Sequence, residues 1–396
     1  MNNVDKQYLA ILNKILTEGE LKQTRSGDTL SIFGAYAEFN LKEGLPLLTT
    51  KKVFYKGIIH ELIWFLKGDT NIRYLVENNV NIWTDDAFRW FKSLDFKEYD
   101  VQDSSFIEGM YKLDRCVFEL DELNAKYCLY DEVNQTYIQE NCTLDEIKDI
   151  TKEQFVDYTK KRFRIHRDFI WRDRVVKTDD IYGFGDLGPV YGKQWRCFGE
   201  SGTDQIKNII HTLKTNPDDR RMLCMAFNPD VLDKVALPPC HVMFQFYTRK
   251  LTHQERFNWL QENGDNKYDE WKSVTDEKLN ELNVPERELS LSFVMRSNDY
   301  CCGNPYNIAQ YSILCYIVCN ICNMVPGKLI YFGNDVHVYC NHIEQAKEQL
   351  QRQGSDTLPQ FVINRKLDDI IDLKYEDFQI INYHPDAPIK YPLNVG

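Results

Sequence analysis

A chain of 396 residues with 43% hydrophobic and 13% aromatic side chains carries enough apolar material for a substantial core, which excludes general disorder. Its formal net charge of −12 argues against a nucleic-acid polymer as partner, because such binding needs a basic surface field. A small anion is not excluded, since a few clustered arginines hold one phosphate locally.

From the N-terminus, "VDKQYLAILNKILTEGE" puts Tyr8, Leu9, Leu12, Ile15 and Leu16 on one helical face with Gly19 at the stop. That predicts an amphipathic helix and not a secretory leader. Three globular blocks are expected, 1–88, 184–249 and 288–396, separated by odd segments at 89–183 and 250–287. The first odd segment is rich in charge and aromatics. It predicts a helix near 143–165, because "TLDE" from Thr143 and "TKEQ" from Thr151 both fit a capping box. Its basic stretch "KKRFRIHRDFIWRDR" (160–174) reads as the polar face of an insert helix. The second odd segment is polar and lies between the alternating runs "HVMFQFYTRKL" and "ELSLSFVMRS". It reads as a hairpin whose turn has grown into a subdomain.

Further on, 308–323 reads as a buried helix and 328–333 as a short strand, and "NHIEQAKEQLQRQG" from Asn341 reads as a capped helix ended by Gly354. Twelve cysteines without disulfide-like spacing predict free thiols in a reducing cytoplasm. Cys315, Cys319 and Cys322 fall on the apolar face of the helix at 308–323, so they read as small hydrophobes and no metal site is expected. No run reaches the length of a membrane span. The mixture of helices with alternating and continuous strands predicts an α/β (α+β) fold: one domain over 1–396, a mixed β-sheet with packed helices, and inserts at 89–183 and 250–287.

Chemistry concentrates in a few places. In "LPPCHVMFQFY", Pro238 and Pro239 stiffen the approach to Cys240, which makes the thiol either a packed core residue or a nucleophile held still. A free cysteine has a pKa of about 8.5, so a nucleophilic one needs positive company to become thiolate. Arg25, the pair Arg220 and Arg221, and Arg296 with Ser297 sit where apolar runs begin or end, and together they can encircle a phosphate. The amide of Asn307 offers a donor and an acceptor side by side, a match to the edge of uracil. His337 and Tyr339, two apart on a strand, face one side and can hold a sugar hydroxyl.

These residues lie in "LPLLTTKK", "IIHELIWFLKGDTNI", "GDLGPVYGKQWR", "DDRRMLCMAFNP", "LPPCHVMFQFY", "RSNDYCCGNPYNIAQY" and "DVHVYCNH", seven stretches whose order and content resemble the thymidylate synthase family. The two odd segments lie outside that resemblance. It implies a thymidylate synthase-like fold, 5,10-methylenetetrahydrofolate as co-substrate, dUMP as substrate, no metal and no membrane. It implies that Cys240 attacks carbon 6 of the uracil ring, that Glu61 organises proton transfer and that Tyr191 helps remove the carbon 5 proton. Arg25, Arg296 and Ser297 would bind the phosphate together with Arg220 and Arg221 of the other subunit of a homodimer. Asn307 would read the base, and His337 with Tyr339 the deoxyribose hydroxyl. Asp299 would act on the pterin ring, with Lys51, Ile82, Trp83 and Gly303 also on the folate side.

The chain departs from the family pattern at Met295, at Tyr300, Cys301 and Cys302 before Gly303, at Tyr306, and in its last residues, Val395 and Gly396. Both family products pass through an exocyclic methylene on the uracil. Hydride from the folate gives dTMP; water gives 5-hydroxymethyl-dUMP, and a wetter site favours water. Small residues such as Cys302 therefore lead to the expectation of a deoxyuridylate hydroxymethyltransferase, with thymidylate synthase as the alternative. 5-Hydroxymethyl-dUMP would suit a virus with modified DNA, placing the enzyme in host cytoplasm. Two further readings stay open: a cysteine hydrolase using Cys240 and His241, and a nucleotide-binding protein without catalysis.

Overall fold

A computed structural model of the chain describes residues 1–94, 124–171, 174–264 and 274–392. Residues 95–123 of the first odd segment and the tail positions Val395 and Gly396 lie outside the described residues. The strands in chain order are β1 (Glu20–Lys22), β2 (Thr29–Asn40), β3 (Asn124–Asp131), β4 (Thr136–Cys142), β5 (Phe163–Trp171), β6 (Arg174–Gly183), β7 (Leu223–Met225), β8 (His241–Lys250), β9 (Arg287–Asp299), β10 (Val325–Tyr339), β11 (Gln360–Ile363) and β12 (Phe378–Ile381). The chain divides into two compact units: one of 1–69, 190–232 and 238–396, the other of 70–189 with 233–237.

The first unit is built on a six-stranded sheet in the order β1-β2-β10-β9-β8-β7. β9 and β10 run parallel, and the helix Gly303–Cys322 makes the crossover between them, as parallel neighbours require. The other neighbours in this sheet are antiparallel. Leu289, Leu291 and Phe293 of β9, Leu329 and Tyr331 of β10, and Phe244 and Phe246 of β8 are buried on one face. The crossover helix is apolar on nearly every side, with Ile313, Leu314, Cys315, Ile317 and Val318 all buried. Cys315 and Cys319 pack there as small hydrophobes, as the spacing predicts. The predicted strand 328–333 is the middle of β10, which continues to Tyr339. Its burial alternates with period two almost throughout, so the short expectation missed the polar "GND" in its centre.

The grown hairpin is present: β8 pairs antiparallel with β9 in a register that matches Lys250 with Arg287. Between them, helices His253–Asn263 and Asp276–Glu281 close over a small cluster of Phe257, Leu260, Val274, Leu279 and Val284. The N-terminal helix Asn3–Glu18 buries Tyr8, Leu9, Leu12 and Ile15, as its periodicity predicts. Helix Ile343–Leu350 begins after a 3-10 turn at Cys340–His342, so its cap falls at His342 and not at Asn341.

The second unit contains a four-stranded antiparallel sheet, β4-β3-β5-β6. Both predicted capping boxes form, with Thr143 and Glu146, and Thr151 and Gln154, bonded reciprocally. They start two short helices, Leu144–Lys148 and Lys152–Lys161, where the sequence predicts one. From Phe163 to Trp171 the basic stretch is a strand and not a helix. Phe163, Ile165 and Arg167 are buried in alternation with Arg164 and His166, a period of two that the charge pattern masked. Cross-strand acids answer its charge: Arg164 pairs with Asp180 and Arg167 with Asp179. Phe91, Phe155, Tyr182 and Phe184 form an aromatic core in this unit.

Candidate active site

Cys240 ends the loop that feeds β8, and the two prolines before it are held by more than their own rings. The Arg296 guanidinium donates from Nε to the Pro239 carbonyl at 2.8 Å and from Nη2 to the Pro238 carbonyl at 2.9 Å. Its backbone N–H donates to the Cys240 carbonyl at 3.0 Å. Immediately after Cys240 the register of β8 against β9 slips between His241 and Met243, a bulge that turns the strand end out of the ladder. The backbone N–H of Cys240 donates to the Tyr191 hydroxyl at 2.9 Å. Cys240 and its loop are therefore fixed from both sides.

Tyr191 opens the helix Tyr191–Arg196, and Gly192 lets that helix lie against Tyr55–Leu66: a Cβ there would meet the Phe65 carbonyl oxygen at 2.9 Å. Burial, then the charges of Cys240 and Glu61, push the Tyr191 phenol well above its usual pKa. It stays protonated at any physiological pH and is not itself a base. Glu61, on the helix Tyr55–Leu66, accepts from Gln310 Nε2 at 2.7 Å. Gln310 is buried one turn beyond Asn307 on the crossover helix, and the motif reading passed over it.

Asn307 faces His241, its Nδ2 3.0 Å from Nε2 of the ring. The other nitrogen, Nδ1, lies 3.0 Å from the Tyr311 hydroxyl. Burial lowers the His241 pKa to about 3, so the ring is neutral. It is committed inward, and the hydrolase reading loses the base it would place beside Cys240.

His337 sits on β10 in register with Asp299 of β9, and its carbonyl accepts from the Tyr300 N–H at 2.8 Å. The Asp335 carboxylate lies 3.5 Å from its Nδ1. His337 and Tyr339 meet edge to face at 5.4 Å, as two residues on one side of a strand should. Asp299 ends β9 and accepts from the N–H groups of Cys301 and Cys302, both at 3.0 Å, which fixes the turn into Gly303 and the crossover helix. Ser297 is half-buried between Arg296 and Asp299 on the same strand.

Lys51 is buried, donates to the Cys301 carbonyl and lies 4.4 Å from the Tyr391 ring centre. Burial lowers its pKa, and the Asp299 charge works against that shift. Asp299, Cys302 and His342 bring ligand atoms within 4.8 Å of one another. A cation there would sit in the neighbourhood of the Lys51 ammonium, whose charge Asp299 already influences, and that is poor company for a second positive charge.

What holds Lys51 was invisible in the sequence. Asp5 is fully buried in the N-terminal helix and accepts from the N–H and hydroxyl groups of both Thr49 and Thr50, and from Asn2 Nδ2. The only local hint was an acid three residues after an Asn cap.

Other candidates lie apart from this cluster. Arg25 is exposed on the loop between β1 and β2, next to Ser26, which bonds Tyr339. Arg220 and Arg221 are exposed before β7, and Arg221 pairs with Asp219 at 2.7 Å. Ile82 and Trp83 belong to the second unit, where Trp83 is buried at the start of the helix Thr84–Ser93 and Ile82 is exposed. Among the described residues, no helix is long and apolar enough to cross a membrane.

Comparison with known proteins agrees with these motifs. The family model described as thymidylate synthase matches residues 6–395. The thymidylate synthase of Mycoplasma mobile is 35% identical over 388 residues, covering 97% of this chain and 98% of that protein. The thymidylate synthase of Aster yellows witches'-broom phytoplasma is 34% identical over 386 residues, covering 97% of each chain. That of Mycoplasma genitalium is 35% identical over 385 residues, covering 96% and 97%. The chain belongs to the thymidylate synthase family, folate-dependent enzymes that transfer a one-carbon unit from 5,10-methylenetetrahydrofolate to carbon 5 of dUMP.

Proposed function

We propose that this chain is a thymidylate synthase, producing dTMP and dihydrofolate. The observation that carries the chemistry is the double restraint on Cys240: Arg296 on the proline carbonyls and Tyr191 on its own N–H. A thiolate fixed in this way attacks carbon 6 of dUMP, which places the electron pair at carbon 5 as an enolate able to take up the one-carbon unit. Asn307 pairs with the base edge, and His337 with Tyr339 receives the sugar hydroxyl. Arg25, Arg296 and Ser297 bind the phosphate. Glu61, fixed by Gln310, organises the proton traffic; Tyr191, a neutral phenol, acts by hydrogen bonding. Asp299 takes the pterin ring, and the co-substrate brings the one-carbon unit and then the hydride. Lys51 and Gly303 complete the folate-side set in the first unit, and Ile82 and Trp83, in the second unit, are assigned to the folate on the family resemblance alone.

Two observations support hydride over water as the last step. The named relatives are thymidylate synthases. The chain near its C-terminus is also tied down beside Lys51: Tyr391 donates to Gln349 Oε1 at 2.9 Å, and the Pro392 carbonyl accepts from His342 Nε2 at 2.6 Å. Anchoring of Tyr391 and Pro392 there favours a dry site. The second reading, deoxyuridylate hydroxymethyltransferase, rests on Cys302, a small side chain left half-buried beside Asp299.

A homodimer that shares Arg220 and Arg221 is part of this proposal. The uncovered face of the six-stranded sheet supports it, with Phe33, Tyr247 and Phe332 exposed. A cytoplasmic setting fits the free cysteines.

The test is to incubate enzyme with dUMP and methylenetetrahydrofolate and analyse products by mass spectrometry. One dihydrofolate per dTMP is expected. 5-Hydroxymethyl-dUMP with tetrahydrofolate would establish the second reading instead.

A further inference from the structure

An asparagine amide cannot by itself tell uracil from cytosine, because a half-turn of the side chain exchanges its donor and acceptor. What grips the amide decides the base. Behind Asn307 the structure places a directional set of hydrogen bonds. The Tyr331 hydroxyl and Asn304 Nδ2 both donate to Asn298 Oδ1, each at 2.7 Å. With that oxygen accepting twice, the amide nitrogen of Asn298 faces the other way and donates to Asn307 Oδ1 at 3.0 Å. Asn307 Nδ2 donates in turn to His241 Nε2, which makes Nδ1 the protonated ring nitrogen, donating to Tyr311. Asn298, Asn304, Tyr331 and His241 are all buried, so water does not compete for these groups. Glycine at 333 makes room for the arrangement, because a Cβ there would collide with the Tyr331 hydroxyl.

We infer that Asn298, oriented by Asn304 and Tyr331, is a positioning residue that fixes the Asn307 amide. It thereby makes the site select a pyrimidine with a carbonyl at carbon 4 and N–H at position 3 over one with an amino group. The remaining lone pair of Asn307 Oδ1 takes the ring N–H, and the remaining Nδ2 hydrogen meets the carbonyl. In the opposite orientation both contacts would be donor on donor and acceptor on acceptor. The inference rests on Asn307 as the base-reading residue.

The experiment measures dUMP and dCMP binding by calorimetry for wild type and two variants. Asn298→Asp puts an acceptor where the donor stands and turns the Asn307 amide. The dUMP-to-dCMP affinity ratio should fall roughly a hundredfold, the equivalent of two neutral hydrogen bonds. Tyr331→Phe combined with Asn304→Leu leaves Asn298 in place but ungripped, and the ratio should fall about tenfold. Nitrogen NMR of wild-type His241 gives a readout that needs no variant: the proton should sit on Nδ1.

An unchanged ratio in a variant that melts cooperatively overturns the inference, as does a proton on Nε2. If Asn298→Asp does not fold, the double variant and the wild-type tautomer decide. A uracil-selective wild type with unchanged variant ratios overturns this inference alone. A wild type that binds neither nucleotide, or prefers dCMP, overturns the reading of Asn307 and this inference with it.

Discussion

Replacing Arg296 by lysine separates two jobs that one side chain can do. Lysine keeps a positive charge near a phosphate, but it is a point charge on a flexible stem and does not reproduce the fork that reaches two carbonyls. Arg296 makes two charge-assisted bonds, at 2.8 and 2.9 Å, to the prolines that precede Cys240. Bonds of this type contribute about 1.5–3 kcal/mol each. If lysine retains one, roughly 2 kcal/mol of loop restraint is lost. Expressed in the transition state, where the thiolate must be in line with carbon 6, that is about a 30-fold fall in kcat. An arginine that served the phosphate alone would give a different signature, a raised KM with kcat unchanged. Steady-state kinetics of Arg296→Lys over a range of dUMP, with thermal melting to confirm the fold, read the two outcomes. A kcat within twofold of wild type refutes the idea that the guanidinium positions the nucleophile.

Three further perturbations test other parts of the account. Gln310→Leu removes the 2.7 Å donor to Glu61 Oε2 and should lower kcat by roughly ten- to a hundredfold with little change in melting temperature; unaltered turnover would mean Glu61 is held by other means. Gly333→Ala forces a methyl group into the Tyr331 hydroxyl and should lower stability by about 1–3 kcal/mol in urea denaturation; a neutral result would contradict the close approach. Burial holds the folded His241 pKa at about 3, below its unfolded value of about 6.5. Between those values the unfolded chain binds the extra proton, so this group's contribution is full above about pH 6.5 and declines on acidification by about 1.4 kcal/mol per pH unit. Urea titrations across that window should show a shallower pH slope for His241→Gln than for wild type, and equal slopes would count against it.

Much of this was legible in the sequence, and the reasons for the rest are physical. Cys240, Asn307, Asp299, His337 and Tyr339 could be singled out as candidates because reactive groups stand in short motifs at the ends of apolar runs. The β8–β9 pairing was legible because both strands alternate cleanly around a polar interruption. The supports were not legible. Asp5 serves Thr49 and Thr50 from 44 residues away, and Gln310 reaches Glu61 across 249 residues. No local pattern records such distances. Arg296 was read only as a phosphate ligand, because an arginine's charge is visible in a sequence and its further carbonyl partners are not. The strand Phe163–Trp171 was lost behind its charges, which balance only once Asp179 and Asp180 are seen on the neighbouring strand. The inward turn of His241 was half visible: adjacency to Cys240 on a strand implied opposite faces, but Tyr311 and Asn307 as its partners were not.

The most direct measurement is a covalent trap. A dUMP analogue with fluorine in place of the carbon 5 hydrogen cannot complete the reaction, since fluorine does not leave as a proton does. Incubated with this analogue and methylenetetrahydrofolate, the enzyme should gain the mass of nucleotide plus folate, and peptide mapping should place it on Cys240. An adduct on any other residue, or Cys240→Ser turning over dUMP at the wild-type rate, would contradict the account.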